Sequence, residues 1–246
     1  MEKIAIICGT DLRQYDGLEL TQSVSCESKY GEISSQVFLS DAFKASVFFM
    51  ARHGTNTSIA PHQINYRANL EVLKQLDVSQ IIAVNTVGGL VDDMSPGTWV
   101  IPDQIIDYTH GREQTFFDGI HNPMQHIDFS FPFAKSLRDD LIKFAALKQK
   151  SVIDYGTYAV TQGPRLETAA EIARLQNDGN HLVGMTMMPE AVLARELGIG
   201  YCSICLVANW GAGMEQQPLD IDAIYTLVEK EFSEMTRFMS EFLAEL

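Results

Sequence analysis

Short runs of β-branched and other apolar residues alternate along this chain with longer segments in which apolar residues recur every three or four positions. Runs of the first kind are typical of buried strands, and segments of the second kind are typical of amphipathic helices. The alternation therefore predicts the α/β class, with a sheet packed between helices, and disfavours a β-sandwich or a helical bundle. The predicted strands span residues 4–7, 47–50, 81–84, 98–101, 157–161, 182–184 and 201–207.

The helical period is clearest at two places. Between Pro61 and Leu76 apolar residues recur at intervals of four, and a proline near the first turn costs no backbone hydrogen bond. From Ile221 to Leu246 an apolar stripe predicts a long amphipathic helix. Further helices are predicted over residues 133–147, 167–177 and 189–197. Because no linker, repeat or low-complexity tract interrupts these elements, we predict one α/β domain with a mixed central sheet over residues 1–246.

The chain is acidic, with 32 Asp and Glu residues against 18 Lys and Arg residues and a formal net charge of -14. A surface of that sign repels nucleic acid and anionic lipid, so neither is an expected partner. Four cysteines in 246 residues do not make a disulfide framework, which indicates reduced thiols and a cytoplasmic protein. No segment has the roughly 20 apolar residues of a membrane span, and the apolar run at the N-terminus is too short for a signal peptide.

Polar or glycine-rich residues follow five of the predicted strands. Ligands of α/β proteins collect where the chain leaves the strands, so these five turns are where we expect a binding site. The turns are Cys8-Gly9-Thr10, Arg52-His53-Gly54, Asn85 through Gly89, Gly184-Met185-Thr186 and Asn209-Trp210-Gly211.

Each turn also has a purely structural interpretation. Gly9-Thr10 is either a nest of N–H groups for an oxyanion or an ordinary turn. Arg52 offers a planar set of donors to two phosphate oxygens, or it is held in place by a nearby carboxylate. The glycines after Val87 allow close approach of a ligand or form a hairpin-like turn. The Thr186 hydroxyl binds an anion or caps the following helix.

Two other patterns argue against metal chemistry. Cys202 and Cys205 are three residues apart in a predicted buried strand, so their side chains point to opposite faces and do not share a metal ion or a disulfide. The histidines show no spacing typical of metal ligands, and we expect no metal site. Met188 is expected to pack in the core.

Taken in order, the motifs resemble those of the trimeric purine nucleoside phosphorylase and methylthioadenosine phosphorylase family, over essentially the whole chain. The matching segments are long and keep the family's order, which makes the resemblance specific. They are Gly9-Thr10, Ala51 through Gly54, PHQINYRANL from Pro61, NTVGGL from Asn85, Pro96-Gly97, GPRLET from Gly163, Gly184-Met185-Thr186 and PEAVLARE from Pro189.

The resemblance implies reversible phosphorolysis, in which inorganic phosphate attacks the anomeric carbon of a purine nucleoside and releases the base. Phosphate is then a co-substrate, and neither a metal nor an organic cofactor is expected. Met185 would pack against the sugar, while Asn209, Glu167 and His53 would be the catalytic residues. By position in the motifs, phosphate would be held by Thr10, Arg52, His53, the backbone N–H of Thr86 and the hydroxyl of Thr186.

Two positions address the identity of the base. Glu167 lies where the 6-oxopurine members of the family carry a glutamate, and an ionised carboxylate only accepts hydrogen bonds, so it suits a base with an N1–H. Asn209 lies where adenine-specific members place an aspartate, and an amide can donate to O6 and accept from N7–H. Gly211, near a second aspartate of that subgroup, has no side chain to recognise adenine. The structural alternatives are a helix-start acid for Glu167 and a turn residue for Asn209.

The 5′ end of the nucleoside is expected to contact the start of the last helix, which offers Leu219, Ile221, Ile224 and Tyr225 in place of the family's histidine. An apolar wall favours a 5′-methylthio group, so the expected substrate is 5′-methylthioinosine. Leu166 is a further expected contact to the substrate.

Three alternatives stay open at this point: an inosine or guanosine phosphorylase, a methylthioadenosine phosphorylase, and a nucleoside-binding homologue without activity. Asp11 and Thr57 depart from the family pattern near the expected phosphate and support the last alternative. Thr86 replaces a frequent alanine, which matters less because its backbone does the binding. The resemblance also implies a homotrimer in which a neighbour completes each site, and the segment around His126, Phe129 and Phe131 could supply that wall.

Overall fold

The computed structural model describes residues 3–9, 22–40, 42–55, 58–120, 122–215 and 220–246. Within them, ten strands join into one mixed sheet. The strands are β1 (Lys3–Cys8), β2 (Gln22–Val24), β3 (Val37–Ser40), β4 (Ser46–Ala51), β5 (Gln80–Gly89), β6 (Trp99–Val100), β7 (Gln104–Asp107), β8 (Thr157–Val160), β9 (Leu182–Gly184) and β10 (Gly200–Trp210).

The sheet runs in the order β2-β3-β4-β1-β5-β9-β8-β7, and β10 pairs with both β5 and β6. Strands β4, β1, β5 and β10 are mutually parallel, so their carboxyl ends meet at one edge. Antiparallel pairs join β2 to β3, β3 to β4 and β5 to β9. This mixed sheet confirms the predicted fold class.

Five α-helices cover the sheet in the described residues: α1 (Tyr66–Gln75), α2 (Lys135–Leu147), α3 (Ala169–Asn177), α4 (Met187–Glu196) and α5 (Ile221–Glu245). Each predicted helix is present, although the segment that begins at Pro61 first forms a short 3-10 turn, Pro61–Gln63. The apolar stripe of α5 packs into the core from Phe232 onward, whereas Ile221 at its start is 46% exposed. The first turn of α5 therefore does not belong to that core.

The two larger of three apolar cores in the described residues lie on the two faces of the sheet, because successive residues of a buried strand point to opposite sides. Cys205 belongs to one core and Cys202 to the other, as their spacing predicts. Met188 is buried in the first core, also as predicted. No helix among the described residues is both long enough and apolar enough to cross a bilayer.

Two strands were predicted to end too early. β5 continues through Asn85, Thr86 and both glycines, and β10 continues through Asn209 to Trp210. A Cβ at Gly89 would lie 1.9 Å from the Met94 carbonyl oxygen, so this glycine is required by close packing inside the sheet and not by a hairpin-like turn.

Candidate active site

A cavity of about 470 Å³ opens at the carboxyl ends of β1, β4, β5 and β10. The structure brings together here every predicted site residue that it describes. These residues are Arg52, His53, Thr86, Leu166, Glu167, Met185, Thr186, Asn209, Ile221 and Ile224. Thr10, Asp11, Thr57 and Leu219 lie outside the described residues.

Arg52 is 1% exposed at the end of β4 and forms a bidentate ion pair with Glu190 of α4, with Nε–Oε2 at 2.7 Å and Nη2–Oε1 at 2.9 Å. Its terminal nitrogens also donate to the carbonyls of Val84 and Ile7, at 3.3 and 3.4 Å. Of the five N–H groups of a guanidinium, these four contacts leave one on Nη1. Burial acts to lower the pKa of Arg52, but the Glu190 carboxylate more than offsets it and raises the pKa above its ordinary value.

The carboxylate interpretation of Arg52 is confirmed, because Glu190 orients the guanidinium, and Arg52 is also among the residues that line the cavity. Glu190 lies within the PEAVLARE motif, but no local pattern shows that it meets an arginine 138 residues away. The buried pair carries no net charge, so Arg52 offers an anion its one remaining N–H on Nη1 more than an excess of positive charge, and its binding to phosphate stays a prediction.

His53 directly follows Arg52 in the loop after β4. Its Nδ1 lies 2.7 Å from the Ile59 carbonyl oxygen. Because a carbonyl only accepts, Nδ1 carries the proton and Nε2 is the ring nitrogen left for a ligand. Burial lowers the pKa of His53. The neutral ring therefore offers a lone pair, which suits the P–OH of a partly protonated phosphate better than an ionised oxygen.

Thr186 precedes α4, but its side chain makes no hydrogen bond to the helix backbone, so the capping alternative was wrong. Its Oγ1 instead accepts a hydrogen bond from Asn85 Nδ2 at 3.1 Å, and Asn85 Oδ1 accepts one from Ser203 at 3.2 Å. With its acceptor side occupied in this way, the Thr186 hydroxyl keeps its proton for a ligand in the cavity.

Thr86 lies in the part of β5 that extends beyond the end of β1. The last residue pair between β1 and β5 joins Cys8 to Val84. The next strand on that side, β9, begins to pair with β5 only at Gly88. Among the described strands, the backbone between these points has no partner on that edge. Thr86 is exposed there and lines the cavity, and the binding of phosphate by its backbone N–H stays a prediction.

Glu167 stands just before α3, not inside it. The helix is capped by Thr168, whose side chain accepts from the Glu171 N–H while the Glu171 side chain accepts from the Thr168 N–H. The helix-start alternative for Glu167 was therefore wrong. The Thr161 hydroxyl donates to Glu167 Oε1 at 2.5 Å and so fixes the carboxylate at the cavity wall.

Asn209 follows a register shift in β10, at which the pairing with β5 skips Ala208. Bulges of this kind redirect a side chain and are common beside active sites. Asn209 Nδ2 donates to the Trp210 carbonyl at 2.7 Å, which sets the orientation of the amide. Asn209 belongs to a strand, so the turn alternative was wrong, and its Oδ1 is available as an acceptor.

A Cβ at Gly211 would lie 2.8 Å from Leu90 Cδ2 and 2.9 Å from Ile172 Cγ2. An aspartate at this position would therefore require both of these buried side chains to shift. Part of the remaining wall is apolar and comes from the first two turns of α5, where Val228 joins the predicted Ile221, Ile224 and Tyr225.

The family model described as the phosphorylase superfamily matches residues 3–244 of this chain. The chain belongs to the phosphorylase superfamily. It is 47% identical over 210 residues to a probable S-methyl-5′-thioinosine phosphorylase of Xylella fastidiosa, covering 85% of this chain and 89% of the relative. It is 38% identical over 244 residues to the 6-oxopurine nucleoside phosphorylase of Pyrococcus furiosus, covering 97% and 91%.

Among solved structures, this phosphorylase superposes on a variant of the adenosine/methylthioadenosine phosphorylase of Schistosoma mansoni in complex with methylthioadenosine. The TM-score is 0.91 at 27% identity, covering 99% of this chain and 91% of the other. The comparisons confirm the family resemblance, the fold and the prediction of an enzyme. A protein solved in complex with methylthioadenosine thus shares this backbone, so the fold alone does not show which base this chain selects.

Sequence reasoning missed the residues that orient the site, namely Glu190, Thr161, Asn85 and Ser203. The segment proposed for a neighbouring wall does not line this cavity from within the same chain: His126 is exposed and Phe131 is 75% exposed. In the described part of this phosphorylase, no group of three or more His, Cys, Asp or Glu side chains is placed to hold a metal ion.

Proposed function

We propose that this phosphorylase cleaves a 6-oxopurine nucleoside with inorganic phosphate, and that 5′-methylthioinosine is its preferred substrate. The products are then hypoxanthine and 5-methylthioribose 1-phosphate. The observation that carries the proposal is that Glu167, Asn209 and Arg52 line one cavity. Their acceptor-only carboxylate, oriented amide and guanidinium match N1–H, N7–H and phosphate respectively.

The chemistry of the bond supports this assignment. Breaking an N-glycosidic bond builds positive charge on the sugar and negative charge on the departing purine. Phosphate held by Arg52 and Thr186 stabilises the sugar, and Asn209 holds the proton on N7 of the leaving base. Preorganised polar groups of this kind contribute about 3 kcal/mol each to stabilising the transition state.

The preference for 6-oxopurines rests on which atoms of the base donate hydrogen bonds and which accept them. Adenine presents a lone pair at N1, so Glu167 would face it with two acceptors and no donor. Gly211 has no side chain that could recognise the 6-amino group, and a larger residue there would displace Leu90 and Ile172. The relatives named for methylthioinosine and 6-oxopurine substrates support the same preference.

The preference for a 5′-methylthio group rests on the start of α5. Tyr225 is 69% exposed and Ile221 is 46% exposed beside the cavity, where an apolar substituent would remove both from water. A 5′-hydroxyl gains nothing from such a wall. We therefore expect 5′-methylthioinosine to be cleaved more efficiently than inosine.

We further propose that phosphate is the sole co-substrate, that no metal or organic cofactor takes part, and that residues 1–246 act as one phosphorylase domain. Cys26, Cys202 and Cys205 are free thiols, and burial raises the thiol pKa of both Cys202 and Cys205 to about 12, which suits a reducing cytoplasm. A homotrimer is proposed from the family resemblance, and the exposed apolar segment near Phe131 would supply the neighbouring wall.

The experiment that tests the activity measures hypoxanthine release from 5′-methylthioinosine with and without phosphate. We expect release that depends on phosphate and yields a sugar 1-phosphate. Inosine, guanosine, adenosine and methylthioadenosine form the comparison panel. Binding of 5′-methylthioinosine with no release over hours would instead identify a nucleoside-binding protein that has lost the reaction.

A further inference from the structure

Arg112 lies in the long segment between β7 and α2 and does not line the cavity, yet it contacts three segments that do. Nη1 lies 2.8 Å from the Met185 carbonyl oxygen and 2.6 Å from that of Met188. Nη2 lies 2.9 Å from the Gln162 carbonyl oxygen and 3.2 Å from that of Thr161. One guanidinium thus joins the loop after β8 to the loop after β9.

The third segment is reached through Tyr66. Arg112 Nη1, whose two N–H groups face three oxygens, is also 3.3 Å from the Tyr66 hydroxyl, and that hydroxyl donates to the carbonyl of Pro61 at 2.9 Å. Pro61 lines the cavity. Within the described residues every acceptor of Arg112 is a neutral oxygen, so the side chain acts as a fork of donors and not as half of a contact ion pair.

The three segments are in close van der Waals contact where they meet. A Cβ at Gly163 would lie 2.5 Å from Met185 Sδ and 3.3 Å from Pro61 Cγ, and this glycine has a φ of +62°. A small shift of one segment therefore moves the others. What holds their relative position also sets the shape of the cavity wall.

The two joined loops would contact opposite ends of the bound substrates, the loop after β8 the purine base and the loop after β9 the phosphate. Arg112 holds the backbone of Thr161, whose hydroxyl orients the base-recognising Glu167. It also holds the backbone of Met185, the residue before the phosphate-binding Thr186. We propose that Arg112 is a positioning residue that sets the distance between base recognition and phosphate binding; this inference rests on the proposed function of the same cavity.

The test compares Arg112→Met and Arg112→Lys with the matched control Arg138→Met. Arg138 also donates to two carbonyls, those of Ile101 and Pro102 at 3.2 Å each, but neither of these residues lines the cavity. Three quantities are measured for each variant: the melting temperature, kcat and KM for 5′-methylthioinosine and for phosphate, and the Kd of hypoxanthine in the presence of phosphate.

We expect Arg112→Met to lower kcat/KM about 100-fold, because displacements near 1 Å have effects of that size. Hypoxanthine binding should weaken at least about tenfold through the displaced Glu167, since losing one hydrogen bond to a charged group has an effect of that size. Lysine keeps the charge but cannot span both loops, so Arg112→Lys should stay closer to Arg112→Met than to wild type. Arg138→Met should keep wild-type kinetics even if its melting temperature falls.

Equal kinetic changes in Arg112→Met and Arg138→Met would overturn the inference, as would a fall in melting temperature with unchanged kinetics. Full recovery in Arg112→Lys would also overturn it, because charge and not the planar fork would then matter. Arg112→Lys decides the question if Arg112→Met does not fold. If the wild type binds hypoxanthine but releases no base, the proposed function fails and the Kd values alone decide this inference. If the wild type does not bind hypoxanthine, both fail.

Discussion

Among single residues, the proposed recognition of the base by Glu167 rests on a hydroxyl that no motif singles out. Thr161 donates to Glu167, so one carboxylate oxygen is fixed and the other is left for the base. The same side chain sits at the end of β8, where the chain turns toward the cavity. Orientation of the carboxylate is thus set by the preceding strand and not by α3.

Removing this hydroxyl tests its role. Thr161→Val keeps the shape of the side chain, and we expect kcat/KM for 5′-methylthioinosine to fall about tenfold or more, since a hydrogen bond to a charged group contributes about 1.5–3 kcal/mol. Thr236→Val is the matched control, because its hydroxyl donates to a backbone carbonyl inside α5. Steady-state kinetics should separate the two variants, and equal effects would contradict a role for Thr161 in recognition.

His53 gives a prediction about pH. Burial lowers its pKa below the ordinary 6.5, so the unfolded chain takes up this proton at a higher pH than the folded chain. Its contribution to stability is therefore complete above pH 6.5 and is lost as the pH falls toward the folded-state pKa. We expect His53→Gln to lose less melting temperature than the wild type between about pH 7.5 and about pH 5.5. An equal loss in both proteins would contradict the assignment.

At the scale of elements, the ion pair between Arg52 and Glu190 ties the end of β4 to α4. The pair is 1% exposed on both sides, and Tyr201 of β10 adds a hydrogen bond to the same carboxylate at 2.9 Å. Strand, helix and central sheet therefore meet at one buried charge pair. Its loss should disturb the packing as well as the site.

Glu190→Gln leaves the Arg52 charge buried without compensation. Breaking a buried pair in this way costs about 3–5 kcal/mol, and we expect a loss of that size in the free energy of unfolding measured with urea. Asp139→Asn, which removes the exposed partner of Lys135, is the control and should leave the unfolding midpoint nearly unchanged. A midpoint for Glu190→Gln that equals the wild-type value would show that the pair does not stabilise the fold.

The sequence predicts the central strands and all five helices because their apolar periods are strong. It misses β2, β3 and β7, which are three or four residues long, because even the longest of their apolar runs, residues 37–39 of β3, is too short to be recognised as a strand. It ends β5 and β10 too early, because Asn85, Thr86 and Asn209 look like turn residues. Pairing with neighbouring strands overrides that local preference, and the result is a polar wall built on rigid strands.

In the molecule as a whole, the candidate site also divides into residues that the sequence predicts and residues that it misses. Residues that touch the proposed substrate are found from the motifs, since they recur at strand ends. The residues that orient them, such as Glu190 for Arg52 and Ser203 for Asn85, lie more than 100 residues away in the chain. Only the folded structure brings such pairs together, and no period or spacing in the sequence encodes them.

Assembly is the remaining property at this scale. Ile120, Met124 and Phe131 are 74–85% exposed in one irregular segment, which is more apolar surface than a solvated loop needs. We expect sedimentation to give a mass of three times the 27.4 kDa chain. Phe131→Asp should shift that mass toward the single chain and lower activity, whereas a monomeric and fully active wild type would contradict a shared site.

The central claim is that Glu167 and Asn209 select a 6-oxopurine, and the ratio of two rate constants tests it most directly. That measurement is kcat/KM for 5′-methylthioinosine divided by kcat/KM for 5′-methylthioadenosine, on the wild-type protein with saturating phosphate. Sites built around one hydrogen-bond pattern reject the other by about 1,000-fold or more, and we expect a ratio of at least that size. A ratio near one, or one that favours the adenine nucleoside, would contradict the account.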